Sequence, residues 1–168
     1  MSITREAIDS NSDDELFDLL AKELEKRISA KRGSDEFISQ IRALPVGLRA
    51  MAATYELDVS LSLDDLGWHF GNWHNEDLAE ETTCGLELLG ATELADIFRQ
   101  AFQVARKYWT ELGADNWMEW YDGSAFEKAI DPFTKQAWAI LDGKKNGILK
   151  YWVDYAREHP EGVGAEDG

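Results

Sequence analysis

Apolar residues recur at helical spacing along almost the whole chain. Leu16, Leu20, Leu24 and Ile28 stand four apart, and Ser12-Asp-Asp-Glu15 ahead of them is a capping box, in which Ser and Glu side chains satisfy free N–H groups of the first turn. This predicts a first helix from Ser12 to about Arg32, stopped by Gly33. A shorter helix from Ser34 carries Phe37, Ile38 and Ile41. Pro45 suits the opening of the next, over about Val46 to Asp58, with Leu48, Met51, Ala52 and Tyr55 on its apolar side. Ser62 and Asp65 signal another cap, for a short helix through Leu63, Leu66, Phe70 and Trp73.

Asn75 is a good N-cap for a helix whose inward positions are Leu78, Thr82, Leu86 and Leu89 and which stops at Gly90. Thr92 then opens a long helix through Leu94, Ile97, Phe98, Ala101, Phe102, Ala105, Tyr108 and Leu112, ending at Gly113. Trp117, Trp120 and Tyr121 mark a short aromatic helix. Ser124 with Glu127, and then Asp131-Pro132, signal two further starts before Ala137, Trp138 and Leu141. A last helix from about Lys145 holds Ile148, Leu149, Trp152 and Ala156 and ends before Pro160. No segment alternates in the manner of a strand, and no repeat of constant period occurs. The expected fold is all-α, an irregular globular bundle of eight to nine mostly short helices. One domain over residues 1–160 is expected, with 161–168 a disordered tail.

Composition agrees with an ordered chain. The apolar share is 44% with seven Trp in 168 residues, more than an acidic disordered chain carries, because burying that surface offsets the entropy of ordering. No run approaches the roughly 20 apolar residues that span a bilayer, and the start lacks the basic and apolar regions of a secretory signal, so the expected location is the cytoplasm. Cys84, the single cysteine, lies in a helical pattern and is expected as a small buried filler. Trp109, Trp138 and Trp152 are expected in the core.

Charge changes the picture most. Thirty-three Asp and Glu against 17 Lys and Arg give a net charge of -16. Such a surface lacks the cations that neutralise phosphates, which disfavours direct contact with nucleic acid or an anionic membrane and favours a basic protein as partner. The imbalance is uneven: residues 45–100 hold eleven acids and two bases, and no Lys or Arg occurs in the 49 residues between Arg49 and Arg99. Glu76/Glu80 and Asp77/Glu81 are like-charge pairs at i,i+4, a spacing at which folding alone favours opposite signs. The helix dipole accounts for Glu76 and Asp77 in the first turn, but its effect has faded by Glu80 and Glu81.

Catalytic chemistry finds less support. His69 and His74 lie near several carboxylates, yet five residues apart on one helix they face different ways, whereas zincin-type pairs use a spacing of four. A metal-dependent enzyme using His69 and His74 is the weaker competing reading, and no metal or cofactor is expected. His159, beside Pro160, adds little. There is no Gly-x-Ser-x-Gly elbow, Walker loop or dinucleotide fingerprint, and Cys84 has no nearby base to lower its pKa. Trp68 and Trp73 flank the acidic region in a glycine-containing segment, where aromatics can anchor an interface.

The segment Asp64-Asp-Leu-Gly-Trp-His-Phe-Gly-Asn-Trp-His-Asn75, the acidic helix after it, and then Leu86-Glu-Leu-Leu-Gly-Ala91 and Leu94-Ala-Asp-Ile97 together resemble the bacterial DNA-mimic protein family over about residues 60 to 105. This sequence reads Asp65-Leu66-Gly67 where that family usually has Asn-Gly-Gly. The resemblance implies an all-helical, often dimeric protein whose carboxylates imitate duplex phosphates and occupy a DNA-binding protein such as a transcription factor. The expected face comprises Asp64, Asp65, Glu76, Asp77, Glu80, Glu81 and Glu87, with Trp68 and Trp73 as anchors. An immunity protein or antitoxin that blocks a basic nuclease toxin would carry the same charge pattern.

Overall fold

A computed structural model describes residues 3–141 and 147–166. Eleven α-helices lie within them, eight of seven residues or more, and no strand. They are α1 (Arg5–Ser10), α2 (Asp13–Arg27), α3 (Asp35–Arg42), α4 (Val46–Leu63), α5 (Leu66–Asn72), α6 (Glu76–Leu88), α7 (Thr92–Arg106), α8 (Trp109–Leu112), α9 (Trp117–Tyr121), α10 (Ala125–Leu141) and α11 (Leu149–Glu158), followed by a 3₁₀ turn, Pro160–Val163.

Helix α4 is the centre of the molecule. It packs against α2, α3, α5, α6, α10, α11 and the 3₁₀ turn, and most of its residues are buried, polar ones included. A helix covered on all sides shows no amphipathic stripe. Its buried polar groups are satisfied by specific partners. Thr54 Oγ1 accepts from Trp152 Nε1 at 3.0 Å, and the Asp58 carboxylate accepts from the Ile148 N–H at 3.0 Å. The Glu56 carboxylate accepts from Arg32 Nη1 at 2.9 Å. No buried side-chain N or O among the described residues lacks a partner, as the cost of an unmade buried bond requires.

The elements differ from the sequence expectation in traceable ways. Helix α2 ends at Arg27 instead of running to Arg32, and α1 precedes it, capped by Thr4. Helix α4 continues past Asp58 to Leu63, because Leu57 and Leu61 extend its buried side. The Ser62 hydroxyl bonds back to the Asp58 carbonyl, so the cap of α5 falls to Asp65. The turn at Arg106–Trp109 splits the expected long helix into α7 and α8, whereas Pro132 lies inside one continuous helix α10. The expected start of the last helix near Lys145 lies outside the described residues. Of the expected tail, residues 167–168 lie outside the described residues; within 161–166, Gly162 and Val163 are buried and the Glu166 N–H donates to the Ile3 carbonyl at 3.0 Å.

Candidate functional site

The acidic segment folds as a hairpin of helices. Asn75 begins α6: its Oδ1 accepts from the Leu78 N–H at 3.1 Å, while its Nδ2 donates to the Gly33 carbonyl at 3.1 Å and to Asp35 at 3.2 Å, tying the starts of α6 and α3 together. Leu78, Thr82, Leu86 and Leu89 point inward, as the spacing predicts. Gly90, at φ 83°, and Ala91 turn the chain so that α7 runs back along α6. On the outer surface of α6 lie Glu76, Asp77, Glu80, Cys84, Glu87 and Leu88, all exposed. At 100° per residue, Glu76, Glu80 and Glu87 fall within about 40° of one another, so these three carboxylates form one stripe. Asp96 adjoins it from α7 through Arg99, and Glu93 is exposed further round that helix.

The cations missing from the segment arrive from elsewhere in the fold. Arg99 pairs with Glu87 near the turn and with Asp96 at 2.6 Å, and Arg106 Nη2 pairs with Glu76 at 2.8 Å at the open end. Arg42 reaches across from α3 to Asp77 at 3.4 Å. Glu80 makes no ion pair among the described residues, although Arg106 feels its charge. The stripe therefore retains an excess of carboxylates, but less than the sequence gap suggests.

Glu81 is different in kind. Its side chain is 6% exposed and holds two guanidiniums: Arg49 binds through Nε and Nη2, each at 2.7 Å, and Arg42 through Nε at 2.7 Å. Burial alone would raise its pKa, but these bonds and charges hold the carboxyl below the ordinary carboxylate value. This is a clamp between α6, α3 and the first turn of α4.

Other expected site residues are also engaged within the chain. Asp65 caps α5, accepting from Trp68 N–H at 2.8 Å and from the Tyr121 hydroxyl at 2.9 Å, and burial together with the Asp65 charge raises the Tyr121 pKa. Asp64 is exposed beside it, in the α4–α5 connection. Trp68 lies edge-on to Trp117 at 5.0 Å, and Trp73 covers Gly33, where a Cβ would stand 2.9 Å from the indole; both are half-buried against their own chain. Gly67 and Gly71 make room for Tyr121 and Trp117 against α5: a Cβ at either position would come within 2.4 Å of a ring atom.

The histidines do not share a site. His69 is buried, its Nδ1 2.9 Å from Ser60 Oγ, and burial pushes its pKa down to about 3. His74 is exposed and stacked on Trp109 at 4.1 Å, with Nε2 2.7 Å from that residue's carbonyl oxygen. Among the described residues no group of three or more His, Cys, Asp or Glu side chains is placed to hold a metal. Cys84 is exposed instead of buried, because its position on α6 falls on the Glu80–Leu88 side. Trp152 is in the core as expected, but Trp138 is 44% exposed and Trp109 half-buried.

What the sequence reading missed were the arginines. The Asp96–Arg99 pair was visible at i,i+3, and Arg106 opposite Glu76 follows once α6 and α7 are paired as a hairpin. The reach of Arg42 and Arg49 to Glu81 leaves no local signal. No helix among the described residues is long and apolar enough to cross a membrane.

In comparisons with known proteins, the family model of DMP19-like proteins matches residues 42–159, more than half of the chain and well beyond the 60–105 resemblance. No curated protein and no solved structure matches.

Proposed function

The chain belongs to the DMP19-like family, named for DNA mimic protein 19, and from that premise we propose that it binds a basic DNA-binding protein, such as a transcription factor, at that protein's DNA site. Members of such a family act by occupancy in general, not catalysis. The observation that carries the proposal is the outer stripe of α6, Glu76, Glu80 and Glu87, adjoined by Asp96. Carboxylates one helical turn apart have Cβ atoms roughly 5–6 Å apart, so a rigid stripe offers several acceptors to Lys and Arg side chains arranged for a strand of phosphates. Held on helices, these acceptors lose less freedom on binding than a flexible acidic tail would. Asp77 lies beside this stripe on α6, and Glu81 anchors the helix from within. Asp64 and Asp65 stand apart from it, at the α4–α5 connection.

The test reverses Glu76, Glu80 and Glu87 together to Lys. Wild-type protein is expected to capture a cytosolic DNA-binding protein that duplex DNA displaces and that elutes early in a salt gradient. The triple variant is expected to lose that capture while keeping its fold, since all three positions are exposed. Capture with unchanged affinity and salt dependence would overturn the assignment of the face.

A further inference from the structure

A second feature lies on other helices. Between α2, α3, α4 and α11 is a cavity of about 230 Å³ that no residue of α6 or α7 lines. Its walls include Phe17, Phe37, Tyr55 and Trp152, with Phe17 and Tyr55 tilted against Trp152 at centroid distances of 5.6 and 6.1 Å. Apolar cavities of about 150 Å³ accept a benzene ring, so this one has room for a single ring with a short substituent.

Two charged side chains stand at its rim, and they are not equivalent. The Arg32 guanidinium is already committed: it lies 4.4 Å over the Tyr55 ring and donates to Glu56. Glu25 is exposed and has no ion-pair partner among the described residues. The uncompensated rim charge is therefore negative, on a chain of net charge -16. Aromatic faces attract cations through their quadrupoles, and the way Arg32 lies on Tyr55 is an internal instance of that preference.

We propose that this cavity binds a small organic cation, an ammonium on a short arm attached to one apolar ring, with the ring against Phe17 and Ile28, above the buried floor of Phe37 and Trp152, and the ammonium beside Glu25. The site is independent of the acidic stripe, and either reading can fail without the other.

The probe is 2-phenylethylammonium, compared with its neutral counterpart 2-phenylethanol and with the anion phenylacetate. Binding is followed by NMR at the Trp152 indole N–H, assigned with a Trp152→Phe variant. The ammonium is expected to shift that signal saturably and to bind at least about fivefold tighter than the alcohol. Glu25→Gln, at an exposed position, is expected to reduce that preference about threefold. Ala21→Leu, which fills part of the cavity, is expected to abolish binding of both. No saturable shift up to about 10 mM, equal or tighter binding of the alcohol or the anion, or a preference unchanged in Glu25→Gln would each overturn the proposal.

Discussion

Glu81→Gln separates a structural carboxylate from a partner-binding one. The substitution keeps shape and one acceptor oxygen but removes the charge that three contacts of 2.7 Å engage. Hydrogen bonds to charged groups contribute about 1.5–3 kcal/mol each, but these cannot be summed. Arg42 and Arg49 are 44% and 39% exposed and regain water when released, and the Gln oxygen retains part of the contact. A net loss of about 2 kcal/mol follows, which for a domain of this size lowers Tm by roughly 4–8 °C. The loss depends on pH with a definite sign. The folded carboxyl sits below its ordinary value of 4.5, so its stabilisation is fully present above that pH and disappears as pH falls through the lower folded value. Urea denaturation of both proteins at pH 7 and again near pH 3 should therefore show a gap that narrows in acid. The control is Glu80→Gln, one residue away, exposed and without an ion pair among the described residues, expected within about 0.5 kcal/mol of wild type. If Glu81→Gln is as stable as wild type at pH 7, or the gap persists unchanged in acid, the clamp is not what Glu81 does.

Other expectations follow from the same geometry. Gly71→Ala puts a Cβ 2.4 Å from the Trp117 ring and should lower stability by about 1–3 kcal/mol in chemical denaturation, whereas Gly90→Ala meets no neighbour and is opposed only by its φ of 83°. Burial raises the Asp58 pKa with only the Ile148 N–H opposing it. Its share of stability is thus largest in acid and is lost as pH rises through the folded value, so Asp58→Asn should leave stability at pH 7 unchanged or higher; a loss above about 1 kcal/mol would contradict this. Arg99→Gln frees Glu87 and Asp96 and should tighten capture of a basic partner and steepen its salt dependence, measured by elution across a salt gradient.

Much of the fold was legible in one dimension, because a helix that covers one side of a core must repeat its apolar residues every three or four positions. The Asn75 cap, the inward set of α6 and the capping box at Ser12 were all local and all present. So was the acidity of α6, since nothing but sequence places Glu76, Glu80 and Glu87 on one side. The boundary of α4 was not, because a helix buried on every side has lost the periodic signal that marks where it stops.

The tertiary structure alone decided what the acidity means. The absence of Lys and Arg over 49 residues is a property of the chain, but Coulomb interactions act across space. Folding brings Arg32, Arg42, Arg49, Arg99 and Arg106 against Glu56, Asp77, Glu81, Glu87 and Glu76. It also turns Trp68 and Trp73 onto neighbouring elements of the same chain. Helical periodicity is set by the backbone and can be read from spacing; which charges of α6 remain uncompensated depends on contacts such as Arg42 with Glu81, 39 positions apart, which spacing does not encode.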